Sequence, residues 1–213
     1  MIYYHPSDGD VYSTSIKYRP QTCFLMTKIG QPIPLVVQEI RSVIMPILTE
    51  YSMRLIDADS ITSGKDFLFK IWQLIISVPV GIAIIYEGIS QQTIANIFYE
   101  LGFMQAYGKE IIVIKAGDIA IPSDFIRTEY ITYDDAFIRH FRDFMNSLDE
   151  QADHYVLLAD ELENNPLISI DYLKRAYLLT GNKEYQDRAR LIHKSCDFKG
   201  RAKNSVESLM IRF

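Results

Sequence analysis

Hydrophobic and polar positions along the chain follow two periods in turn, and the places where the period changes outline the elements. Thr22 to Thr27 (TCFLMT) is a short apolar run bounded by polar residues, the pattern of a buried strand. From Pro34 to Tyr51 the apolar positions Val36, Ile40, Val43, Ile44, Ile47 and Leu48 recur every three or four residues, which predicts an amphipathic helix kinked at Pro46. Met53 to Ala58 reads as a second strand, and the polar stretch Asp59 to Gly64 as a loop. Helical spacing returns from Lys65 to Ser77 through Phe67, Leu68, Ile71, Leu74 and Ile75, and Pro79 closes it.

Val80 to Tyr86 (VGIAIIY) is continuously apolar, as expected of a central parallel strand covered on both faces. After Glu87 to Gln92 a helix is predicted from about Thr93 to Tyr107, with Thr93 as its N-cap and Gly108 ending it. Glu110 to Lys115 is a fourth strand and Glu129 to Tyr133 a short fifth at an edge. Strands and helices alternate at spacings too long for hairpins, so the fold class predicted is α/β, a doubly wound, mainly parallel sheet of four to five strands. From Asp134 onward the pattern is helical only. Asp134 to Glu163 reads as one helix or two, then come Leu167 to Leu179, Lys183 to Ile192 and Ala202 to Met210. The expected organisation is an N-terminal segment over 1–21, an α/β domain over 22–133 and an all-helical extension over 134–213.

Composition changes this picture little. With 48% hydrophobic and 23% charged residues the chain resembles an ordinary globular protein, and its longest apolar stretch, Ile71 to Tyr86, is broken by Pro79 and Gly81. Met1 to Asp10 lacks the basic start and apolar run of a secretory signal, so a cytoplasmic location without membrane contact is expected. Cys23 and Cys196 form no CxxC pair, which argues against a disulfide framework or zinc site and for two buried thiols. His5, His140, His154 and His193 have no metal-ligand spacing, so no metal site is expected.

Charge is more informative. From Pro166 onward ten basic residues (Lys174, Arg175, Lys183, Arg188, Arg190, Lys194, Lys199, Arg201, Lys203, Arg212) face five acidic ones (Asp171, Glu184, Asp187, Asp197, Glu207), so the tail carries +5 and the rest −10. Self-association, partner docking, nucleic-acid contact through the basic part and a solvated helical surface all fit that split.

Ligands of an open parallel sheet bind outside the carboxyl ends of its strands. That rule selects Lys28 to Pro34, Asp57 to Gly64, Glu87 to Gln92 with the following helix, and Ala116 to Ser123. Their polar residues include Lys28, Gly30, Gln31, Asp57, Asp59, Ser60, Thr62, Ser63, Glu87, Ser90, Gln91 and Asn96, a set suited to sugar hydroxyls rather than to a phosphate cradle. A P-loop is excluded, because Asp66 follows Gly64-Lys65 where Ser or Thr would hold magnesium, and no GxGxxG follows the first strand. Glu100 has Asn96, Ile97, Phe103 and Met104 as its helical neighbours, so its carboxylate projects from a largely apolar surface. Two readings fit it: a desolvated carboxylate with altered pKa and nucleophilicity, or a solvent-facing acid near a helix N-terminus, favoured by the dipole.

Three segments carry a resemblance to a known family: Cys23-Phe24-Leu25-Met26 with the helix containing Ile44-Met45-Pro46; Leu55-Ile56-Asp57-Ala58-Asp59; and Asn96-Ile97-Phe98-Tyr99-Glu100-Leu101-Gly102 followed by Gln105-Ala106-Tyr107-Gly108-Lys109 and the strand Ile111 to Ile114. Over Thr22 to Lys115 the chain resembles the TIR-like and nucleoside 2-deoxyribosyltransferase-like superfamily of bacterial nucleotide-metabolising and anti-phage proteins. The resemblance implies a flavodoxin-like or TIR-like sheet with Glu100 as the catalytic residue. It implies contacts to a sugar from Asp57, Asp59, Ser90 and Asn96 and further substrate contacts near Lys28 and Gly30, and it makes Tyr86, Phe98 and Tyr99 candidates for stacking or for plain core packing, with core packing favoured for Phe98. Two departures stand out: Glu87 to Gln92 lacks the aspartate-rich turn of many relatives, and Lys28-Ile29-Gly30 replaces a proline-phenylalanine pair.

The activity so implied is cleavage of an N-glycosidic bond, in NAD or a related nucleotide, with NAD as substrate and no cofactor. Assembly through the helical tail, as a homo-oligomer or with a partner protein, would switch it on, in the manner of anti-phage defence. Two alternatives remain open at this point: a nucleoside or nucleotide deoxyribosyltransferase or hydrolase, and a non-catalytic module that senses a nucleotide or binds a protein. Nucleic acid is not an expected partner.

Overall fold

A computed structural model describes residues 16–58, 67–121, 130–196, 200, 206, 207, 210 and 213. The chain divides into two compact units, one spanning Gln21–Leu148 and the other joining the chain up to Pro20 with Asp149–Phe213.

The first unit is an α/β fold. Its five strands are β1 (Thr22–Met26), β2 (Arg54–Asp57), β3 (Val80–Tyr86), β4 (Glu110–Ala116) and β5 (Tyr130–Thr132). All pair in parallel in the order β2-β1-β3-β4-β5, a doubly wound arrangement whose strand order reverses between β1 and β3. Every residue of β1 and β3 is buried, which accounts for their continuous apolar sequence. The helices are α1 (Leu35–Glu50), α2 (Phe67–Ser77), α3 (Gln91–Ala106) and the long α4 (Phe137–Glu161), which begins in this unit and ends in the other. Asp134 to Glu163 therefore forms one helix rather than two.

Strand alternation assigns the helices to faces. A side chain on Gly81 would point at Met104 of α3, so Gly81, Ala83 and Ile85 face α3, and Val80, Ile82, Ile84 and Tyr86 face the other way. α2 lies beside α3, with the Trp72 and Phe103 rings 6.2 Å apart. On the opposite face lies α1, joined to the first half of α4 by Arg142 bonded to both oxygens of Glu50 (2.6 and 3.1 Å) and by Tyr51 to Asn146 (2.7 Å). Helix α3 starts two residues earlier than the pattern predicts. Ser90, not Thr93, is its N-cap, with its hydroxyl accepting the Thr93 amide at 3.1 Å.

The second unit is helical, with α5 (Pro166–Thr180) and α6 (Lys183–Ser195) forming a hairpin. Gly181 ends α5 at φ 69°, a left-handed conformation that costs glycine nothing, and Asn182 caps α6 by accepting the Glu184 amide at 3.0 Å. Its core includes Ala159, Ile170, Leu173, Ala189, Val206 and Phe213. The basic tail is not simply a solvated surface. Lys174 is only 3% exposed, with its ammonium 3.6 Å from the centre of the Tyr18 ring, while Arg175 pairs with Asp171, Arg188 with Asp160 and Arg190 with Asp187. Most of the last predicted helix, Ala202 to Met210, lies outside the described residues; Val206, Glu207 and Met210 are helical. Cys23 is buried as expected, but Cys196, just past α6, is only partly buried. No helix among the described residues is long and apolar enough to cross a membrane.

Candidate active site

Glu100 occupies a position that follows from helix geometry. Three residues turn an α-helix by about 300°, so Ile97, Glu100 and Phe103 fall successively about 60° further round α3. Ile97 is buried toward the sheet and Phe103 meets Trp72 of α2, so Glu100 lies between them, on the seam where α3 meets both the sheet and α2. One turn on, Met104 lies across Gly81, which sets Glu100 roughly two strand residues higher, level with Ala83. It is half-buried.

Burial of this carboxyl is uncompensated. Among the described residues no ion pair or hydrogen bond reaches it, and burial alone pushes its pKa from 4.5 up to about 7. Withdrawal from water penalises the charged form, and among the described residues no cation offsets that penalty. The surface-acid reading fails on the same geometry: Glu100 is ten residues past the cap, about 15 Å along the helix, whereas the dipole acts within the first turn.

The remaining predicted site residues separate into groups. Asn96 and Tyr99 are on α3 near Glu100 and exposed; the Tyr99 ring stands edge-on to Phe103 at 4.9 Å, and Phe103 lies 5.8 Å from Tyr107, so an aromatic row flanks the seam. Phe98 is half-buried. Ser90 shares a 2.8 Å hydrogen bond with the Thr93 hydroxyl as well as capping α3. Its backbone lies about 15 Å from that of Glu100 along the axis. Tyr86 faces the α1 side of β3, and burial raises its pKa.

Asp57 is also on that side. Its register partner is Leu25, which pairs with Ile82, one residue on from Gly81, and its carboxylate takes a 2.8 Å bond from Arg41 of α1. Asp57 and Glu100 therefore stand on opposite faces of the sheet. Asp59, with Ser60, Thr62, Ser63, Gly64, Lys65 and Asp66, lies outside the described residues.

In the loop after β1, Lys28 donates to the Pro32 carbonyl at 3.1 Å, and Gly30 takes the left-handed conformation at φ 86° with open space where a side chain would be. Just before them the Thr27 hydroxyl is shut away from solvent without a hydrogen-bond partner among the described residues, beside the switch point of the sheet. A sequence does not reveal an orphaned hydroxyl, because its partner would have come from a distant segment. No group of His, Cys, Asp and Glu suited to a metal occurs among the described residues.

No protein-family model matches the chain, and no curated protein matches it. Among solved structures, that of Clostridium botulinum CMP N-glycosidase, BcmB, is similar at 18% identity with a TM-score of 0.37, over 57% of this chain and 96% of that one. A likeness at that level decides nothing about this chain, and the site stands on its own geometry.

Proposed function

We propose that the chain is an N-glycosidase acting on NAD or a related nucleotide, with Glu100 as its catalytic residue. The observation that carries the proposal is the half-buried Glu100 carboxyl on the seam of α3, without a partner among the described residues and with its pKa pushed up to about 7 by burial. Breaking an N-glycosidic bond develops oxocarbenium charge at the anomeric carbon. A desolvated carboxylate beneath that carbon stabilises the charge or adds to it to form a glycosyl ester, which water then cleaves. Attraction between the desolvated carboxylate and the reacting sugar strengthens as positive charge develops toward the transition state. Asn96 and Tyr99, exposed on the same helix, are the substrate contacts of this reading, with Tyr99 offering a ring face to a base.

The same titration supports a second reading. Nicotinamide leaves NAD as a neutral molecule from a cationic donor and needs no proton, whereas the base of an ordinary nucleoside leaves far better when protonated. A carboxyl half-protonated near neutrality can supply that proton, which suits a nucleoside or nucleotide deoxyribosyltransferase or hydrolase.

Incubation with NAD followed by chromatography for free nicotinamide tests the first reading. Wild type should release nicotinamide and Glu100→Gln should lose at least about a hundredfold in rate. Release of a base from deoxynucleosides with NAD untouched selects the second. Full activity in Glu100→Gln on either substrate removes Glu100 from the chemistry.

A further inference from the structure

Helix α2 ends against the turn that follows α3. The last carbonyls of a helix have no partner within it, and here they are met individually. The Ser77 hydroxyl donates to the Leu74 carbonyl at 2.8 Å, and the Lys109 ammonium donates to the Ile76 carbonyl at 2.9 Å. Alongside, the Glu110 amide donates to the Pro79 carbonyl at 3.1 Å. Lys109 is delivered to this place by Gly108, at φ 63°, and by its own amide bonding the Met104 carbonyl at 3.0 Å. A cation at a helix carboxyl end is also favoured by the dipole.

We propose that Lys109 is a positioning residue for Glu100, clamping the carboxyl end of α2 to the turn after α3 so that α2 stays seated along the seam that carries the carboxylate. One turn before Ile76 on α2 is Trp72, which meets Phe103, and one turn before Phe103 on α3 is Glu100. Clamp, aromatic contact and carboxylate thus follow one another up the seam. Removing the ammonium leaves the buried Ile76 carbonyl needing a donor, and water is the available one. Water admitted there separates Trp72 from Phe103 and rehydrates Glu100. The elements packed against α3 are β3, β4 and α2, whose titratable groups are Tyr86, Glu110, Lys115 and Lys70, with Tyr99 and Tyr107 on α3 itself. None of them shifts Glu100; burial does.

The proposal rests on Glu100 as the working group of the site, and its test does not use activity. The Glu100 carboxyl is followed by 13C NMR titration of the full chain, its resonance identified by its loss in Glu100→Gln, and the seam is followed by fluorescence of Trp72, the chain's single tryptophan. In Lys109→Met the Glu100 midpoint should fall by about one pH unit or more, and the Trp72 emission should move to the red. Lys109→Arg, which still donates to a carbonyl, should keep both at wild-type values. A wild-type midpoint in Lys109→Met overturns the proposal, and so does a Lys109→Arg variant that shifts as far as Lys109→Met. If Lys109→Met does not fold, Lys109→Leu, which likewise lacks a donor, carries the test: a lowered midpoint is expected, and an unchanged one overturns it. Full activity in Glu100→Gln would defeat the catalytic reading while leaving these titrations to stand or fall separately.

Discussion

Met104 lies directly across Gly81, with its sulfur in the space that a side chain on the strand would need, and Met26 closes that space from β1. Both methionines are fully buried and have little room to retreat. Gly81→Ala should therefore overpack the contact between β3 and α3 and cost about 1–3 kcal/mol. Thermal melting checks this: a melting temperature unchanged from wild type would mean that the methionines repack freely.

Glu100 should make the protein less stable as pH rises. Its pKa is about 7 in the folded chain against an ordinary 4.5, so the folded state holds a proton that the unfolded chain has released between those values. Stability from this group is complete below about 4.5 and is lost as pH climbs through about 7. Glu100→Gln should accordingly be more stable than wild type at pH 8, by roughly 2 kcal/mol after allowance for partial exposure, with the advantage gone at pH 4. Denaturant unfolding at both pH values measures it. A Gln variant that is more stable and inactive would show a site that trades stability for chemistry.

Arg41 and Asp57 tie α1 to β2 through a 2.8 Å ion pair whose side chains are only 30% and 20% exposed. Asp57→Asn and Arg41→Met should each destabilise the fold by about 1–2 kcal/mol. A double-mutant cycle should return a coupling of at least about 0.5 kcal/mol. Zero coupling would mean that the pair contributes nothing to holding α1 against β2.

Ser90 should matter to stability through the cap it makes. Ser90→Ala should cost about 1 kcal/mol, and Ser90→Asp, which also accepts the Thr93 amide, should restore it. A Ser90→Ala protein with wild-type stability and impaired turnover would return Ser90 to the substrate.

The order of strands and helices was legible in the sequence because periodicity is a local property: Val80 to Tyr86 is apolar throughout because it is covered on both faces, and β1 likewise. The motif around Glu100 was legible for the same reason, since Asn96, Ile97, Phe103 and Met104 are its neighbours on any helix. Which face each element takes is settled by pairings between distant segments. Asp57 is bound to Arg41 across 16 residues, Lys109 to Ile76 across 33 and Arg142 to Glu50 across 92, and no local pattern contains those partners. Tertiary packing therefore placed Asp57 and Tyr86 on the face opposite α3, whereas the Ser90 cap is a local bond between residues three apart. Packing also withdrew Glu100 from water, and that environment, rather than the residue's identity, raises its pKa.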